Sequence, residues 1–184
     1  MAEYQSMTIP SMGGTKLQSF LEAVVPALPV GSNVVEVGPW LGAGTAAIVK
    51  ALNKAGLGDS VHVHCYDRWT ATNEEVKKAA ACGVSIEVGD NTLPWVRSRL
   101  ETIKKVHYHQ GDIKTANWDG EPISIYIDDA AKDPRNFYHV LKTFGPSWIP
   151  EKTIVILMDY YDWKKRSGLI SKIRQCQRDF VKNH

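Results

Sequence analysis

Cysteine is scarce in this chain. Its three copies, Cys65, Cys82 and Cys176, are scattered and odd in number, with no C-x-x-C spacing. That points away from a disulfide framework and from a cysteine zinc site, and predicts small core residues instead. Long apolar runs are missing as well: no stretch approaches the roughly 20 residues that cross a bilayer. The opening Met1-Ala2-Glu3-Tyr4-Gln5-Ser6 has no basic segment leading into an apolar one. A soluble, cytoplasmic protein with no membrane partner is the expectation. Charge of one sign is also lacking. With 22 Lys and Arg against 20 Asp and Glu, the formal net charge is +2. A nucleic-acid binder usually shows a clustered basic face, so no nucleic-acid partner is expected.

What the chain does have is an alternation of apolar runs with helical periods. Its 184 residues suffice for one α/β domain with a sizeable core, preceded by a flexible N-terminal arm over residues 1–15, polar and carrying Pro10, Gly13 and Gly14. Leu17, Phe20, Leu21, Val24 and Val25 recur at helical spacing before Pro26 and Pro29. Strands are expected at Asn33–Val37, Val61–Asp67, Lys105–Gln110, Ile123–Ile127 and Thr153–Met158. Between them lie a helix from Thr45 to Asn53 and a helical stretch from Asn73 to Lys105, with Leu93, Val96, Leu100 and Ile103 on one edge. A further helix carries Phe137, Val140, Leu141 and Phe144 and is stopped by Gly145-Pro146, and a last one runs from Gly168 to Phe180. Near-continuous apolar strands separated by helices predict a Rossmann-like, doubly wound, mostly parallel sheet with helices on both faces.

The most informative stretch is Val34-Val35-Glu36-Val37-Gly38-Pro39-Trp40-Leu41-Gly42-Ala43-Gly44-Thr45. Glycines at a strand-to-helix turn let backbone N–H groups approach a ligand, and the helix directs its positive end there. Gly42-Ala43-Gly44-Thr45-Ala46-Ala47 satisfies a loose G-x-G-x-x-A dinucleotide pattern, which keeps an NAD(P)-dependent oxidoreductase as an alternative. In that fold, however, the first glycine follows the strand directly, whereas here Gly38 already opens the turn and the spacing is G-x-x-x-G-x-G.

With Glu36 two residues ahead of Gly38, the stretch resembles motif I of the class I S-adenosylmethionine (SAM) dependent methyltransferases, E-x-G-x-x-x-G. The resemblance implies SAM as cofactor, with Glu36 near its amino group and the loop of Gly38, Pro39, Trp40, Gly42 and Gly44 around its amino-acid end. The loop holds no lysine or arginine, which suits a cofactor without phosphate. Asp67, with Arg68 beside it, ends the second strand about thirty residues beyond Gly38, roughly one β-α-β unit. A carboxylate there can accept both hydrogen bonds of a ribose diol. Gly111-Asp112 after the third strand resembles the family's step beside adenine, and Trp40 and Trp69 offer an aromatic wall. The implied sheet order is 3-2-1-4-5. The family adds two further C-terminal strands for which this sequence shows no pattern, so either the natural protein is longer or the sheet ends early. An exposed fifth strand would need cover from a partner chain or the N-terminal arm, and a homo-oligomer is the expectation.

Asp128 and Asp159 end the fourth and fifth strands and are the candidate catalytic residues, Asp128 also facing the cofactor. Neighbouring acids repel unless something positive lies between them, and a hard divalent cation such as Mg2+ is one solution. The two segments resemble the metal-dependent O-methyltransferases of the macrocin type. Ala130, Ala131 and Met158 stand where further ligands of that group would fall, which leaves Asp129 as a compensating ligand, Asp128 as a general base without metal, and a non-catalytic SAM-binding module as open readings. Lys132 could neutralise the acids. His62, His64, His107 and His109 alternate along strands and read as structural, while His139 is the histidine expected near the crevice. The acceptor implied is a hydroxyl of a small molecule.

Overall fold

The computed structural model describes residues 9, 16–100 and 105–183. The expected arm over 1–15, apart from Ile9, lies outside them, as does Ile103. Among the described residues five strands, β1 (Asn33–Val37), β2 (His62–Asp67), β3 (Val106–Gln110), β4 (Ile123–Asp128) and β5 (Ile154–Leu157), form one sheet in the order β3-β2-β1-β4-β5. Every pairing is parallel. Parallel strands cannot be joined by a hairpin, so each connection crosses a face of the sheet, usually as a helix.

The alternation of side chains along the strands divides the core. On one face Val34, Val63, Cys65, Ile125 and Ile127 are buried under α1 (Lys16–Val24), α2 (Ala43–Lys54) and α4 (Leu93–Leu100), through Leu21, Ile48, Leu52, Val96 and Leu100. On the other, Val35, Val37, Tyr66 and Tyr126 meet Phe137, Val140 and Phe144 of α5 (Pro134–Phe144). Burying each such large apolar side chain stabilises the fold by roughly 1.5–3 kcal/mol. Two helices follow β5: α6 (Gly168–Ile173) and α7 (Cys176–Asn183), with Phe180 of α7 against Phe137 at 5.7 Å.

Three expectations need correction. The helical stretch from Asn73 to Lys105 is interrupted over residues 82–92, although Pro94 does stand at an early helical position. It starts as α3 (Asn73–Ala81), where Thr72 and Glu75 form a reciprocal capping box, and breaks before α4. Gly83 and Gly89 sit at φ +76° and +93° in the break, and Asp90 accepts a hydrogen bond from Glu87 N–H there, a turn chemistry that competes with helix. The last helix divides at Arg174 and Gln175. Of the cysteines, Cys65 and Cys176 are buried but Cys82 is exposed.

The connection from β3 to β4 contains only the single 3-10 turn Ile113–Thr115. With no helix over β2 and β3 on that face among the described residues, the space there holds His62, His64, His107 and His109, with Trp118 edge-on to His64 at 4.8 Å. Burial and the neighbouring imidazoles hold His64 down to about 4, and lower His107 and His109 as well. No helix among the described residues is long and apolar enough to cross a membrane.

Candidate functional site

At the carboxyl ends of β1 to β4 the loops part around a cleft of about 860 Å3. Of the residues singled out from the sequence, Gly38, Trp40, Asp67, Arg68, Gly111 and Asp112 line it, joined by Asp129, Ala130 and Lys132. Glu36, Pro39, Gly42, Gly44, Asp128 and Asp159 do not. The floor is tight. Gly38 has φ +85°, and a Cβ there would fall 2.8 Å from the Cβ of Ala130. Asp129 N–H donates to the Val37 carbonyl at 2.9 Å, which ties the β4 loop to the end of β1.

Asp67 organises the wall. Its Oδ2 accepts from Trp40 N–H at 3.0 Å and its Oδ1 from Trp69 N–H at 2.8 Å. Both tryptophans stand at positive φ, +50° and +47°, a conformation that costs a non-glycine residue about 1–3 kcal/mol. Burial raises the Asp67 pKa against these two hydrogen bonds. A carboxylate offers about four lone-pair sites, so two remain for a ligand. Trp40 reaches the cleft, while Trp69 is buried against Tyr108 and does not line it.

Glu36 lies beneath this floor. Thr45 Oγ1 donates to its Oε2 at 2.6 Å, and a Cβ at Gly44 would land on its Oε1. Gly44 is thus required by the packing of α2 on Glu36. Gly42 is required by its φ of +86° and by α4, since a Cβ there would fall 3.0 and 3.3 Å from the Val96 and Leu100 side chains. Burial pushes the Glu36 carboxyl up to about 7, against the Thr45 bond that lowers it. The folded state therefore keeps a proton that the unfolded chain releases near 4.5, and its stability declines as pH rises from 4.5 to 7. Glu36→Gln removes that decline. The wild-type minus variant difference in unfolding free energy should fall by up to about 3 kcal/mol across this window, measured by urea titration at each pH. A flat difference would show that Glu36 titrates normally.

The two acids at the end of β4 have different environments. Asp128 is buried; its Oδ1 accepts from Ala130 and Ala131 N–H at 3.0 and 2.8 Å, and burial moves its pKa up to about 6. Asp129 faces the cleft, where Lys132 Nζ lies 3.8 Å from its carboxylate and 2.6 Å from Asp159. Burial, offset by Lys132 and reinforced by Asp159, takes Asp129 up to about 7. Burial opposes the Lys132 charge, but the bond to Asp159 and both acids raise its pKa overall.

No protein-family model matches the chain, and no curated protein does. Solved structures do. The O-methyltransferase NovP superposes with a TM-score of 0.60 at 15% identity, over 91% of this chain and 68% of its own. The calicheamicin methyltransferase CalS11 gives 0.58 at 12%, over 80% and 65%. An rRNA-methylase described as putative, from Clostridium thermocellum, gives 0.56 at 13%, over 95% and 84%. This is the methyltransferase fold. The chain spans about two thirds of the length of the first two.

Within the methyltransferase fold, two residues at the cleft stand in places the sequence marks less directly: Asp129, expected only as a compensating metal ligand, and His109, expected to be structural. Asp129 is one of two adjacent aspartates, and the backbone alternation at the strand end decides which of them faces out. His109 lines the cleft, stacked on Tyr66 at 4.2 Å. His139, placed there from the sequence, does not line it and instead lies 3.4 Å from Thr143.

Proposed function

We propose that this chain is a SAM-dependent methyltransferase that methylates a hydroxyl of a small molecule, with Asp129 as the general base. The observation that carries the reading is the half-buried Asp129–Lys132–Asp159 array, of which Asp129 and Lys132 line the same cleft as Gly38 and Asp67 while Asp159 stands behind Lys132. When bound, SAM supplies a methyl group on a sulfonium, open to in-line displacement. Asp67 and the Trp40 loop would hold the cofactor, with Gly111 and Asp112 at the rim. Asp129 would take the proton from the acceptor hydroxyl as its oxygen bonds to the methyl carbon and the sulfur–carbon bond breaks, leaving a neutral thioether. Lys132 and Asp159 position Asp129, and most of the rate gain would come from alignment in a desolvated pocket.

The residues present do not suit Mg2+. The place between Asp129 and Asp159 is taken by the Lys132 ammonium, and Asp128, turned under the Ala130–Ala131 backbone, is not directed at the cleft. The glycine pair of the dinucleotide reading is also unfavourably placed, since the open faces of Gly42 and Gly44 are filled by α4 and Glu36.

SAM and S-adenosylhomocysteine are expected to raise the melting temperature and to titrate one to one by calorimetry, while NAD and NADP do neither. Stabilisation by NAD alone would overturn the reading. Incubation with a panel of hydroxylated acceptors, with an RNA arm, should yield S-adenosylhomocysteine on the small molecules. Turnover only on RNA would overturn the acceptor class, and binding without turnover would mark a non-catalytic module.

A further inference from the structure

The four histidines on the outer half of the sheet form a cluster that the proposed methyl transfer does not use. In the parallel register His64 stands directly opposite His107. His62 Nδ1 lies 3.0 Å from His107 Nε2, and His64 Nδ1 lies 3.1 Å from His109 Nε2. His62, His64 and His107 each present one ligand atom within 4.8 Å of the other two, the one such group of three among the described residues. Three nitrogens held at about 2.0–2.1 Å by a tetrahedral ion stand roughly 3.3 Å apart; the three rings are stacked at 15–29° to one another, so binding requires them to turn out of the stack toward a common point.

We propose that His62, His64 and His107 form a tri-imidazole site for a borderline transition-metal ion of the Zn(II) class, tying edge strand β3 to β2. Imidazole nitrogen suits zinc, copper and nickel and not magnesium or calcium. The ligands come from two adjacent strands, a rigid support. His107 is solvent-exposed, which leaves the fourth position to water. His109 holds His64 by its Nδ1, an outer hydrogen bond of the kind that orients a ligating imidazole. Trp118 closes the far side.

One group opposes the ion. Lys105 Nζ lies 3.4 Å from His62 Nε2. An ammonium only donates, so it keeps the His62 proton on Nδ1, shared with His107. Binding requires Lys105 to swing away and that proton to move to the ring nitrogen outside the site. Lys105 thus sets the affinity, and its removal should tighten binding.

The test uses the full chain stripped with a chelator and dialysed. Calorimetry with zinc chloride is expected to give one site, and Co(II) to give the intense visible bands of a tetrahedral site. His107→Gln should weaken zinc at least tenfold, Lys105→Met should strengthen it, and His139→Gln should change nothing. The melting temperature of each variant without metal reports folding separately. Absence of zinc binding by the wild type overturns the proposal, as does binding that survives a folded His62→Gln/His107→Gln double variant. Magnesium chloride should produce no heat. None of these readouts depends on SAM or turnover.

Discussion

Asp129→Asn is expected to lower turnover by about 10²–10⁴-fold while calorimetric SAM affinity stays nearly unchanged. The reason is the environment of this carboxylate. Burial lifts it to about 7, with Asp159 pushing the same way and Lys132 holding it back, which is where a base is both free of its proton at neutral pH and strong enough to take one. Only the deprotonated form accepts a proton, so the wild-type rate should climb as pH rises through about 7 and then level. In Asp129→Asn that limb disappears. Lys132→Met should move it to higher pH instead, because two acids without the ammonium between them hold a shared proton more tightly. Wild-type turnover in Asp129→Asn would assign the proton to another group. Asparagine keeps the size and the polar contacts, so loss of folding is not a competing explanation if the melting temperature is retained.

Asp67→Ala should weaken SAM binding by about 100-fold or more, taking the two charge-assisted hydrogen bonds at about 1.5–3 kcal/mol each. The carboxylate does two tasks at once. It faces the cleft, and it pins Trp40 and Trp69 in left-handed conformations they would otherwise leave. Removal frees both loops as well as deleting an acceptor, so binding and melting temperature should fall together. Asp67→Asn is the informative companion: its amide can accept from one backbone N–H but presents NH2 to the other, and an intermediate loss is expected. Unchanged affinity in Asp67→Ala would remove the cofactor from this cleft.

The sheet was legible because its information is local. Apolar runs such as Val34 to Val37 and Ile123 to Ile127, spaced by amphipathic helices, dictate strands buried on both faces, and the order β3-β2-β1-β4-β5 then places Gly38, Asp67 and Gly111 at one end. What the sequence hid depends on how elements settle against each other. Gly42 and Gly44 read as a ligand cradle, yet their hydrogens face α4 and Glu36, a packing requirement indistinguishable in sequence from a binding one. Asp128 and Asp129 are identical in chemistry, and only the chain direction at the strand end makes one a buried loop anchor and the other a cleft residue. Lys132 acquires its role from Asp159, which approaches from the next strand's loop. The histidines were expected to be structural, and their convergence across β2 and β3 follows from a register that no local pattern encodes.

The contact between Gly38 and Ala130 divides labour within the cleft. The missing Cβ of one residue is the volume occupied by the other, so the turns after β1 and β4 behave as one solid block in which neither can be enlarged alone. Any change in the shape of the cleft then falls to the opposite margin, where the exposed side chains of Asn73, Glu74, Lys78, Lys114 and Asn117 line it without belonging to that block.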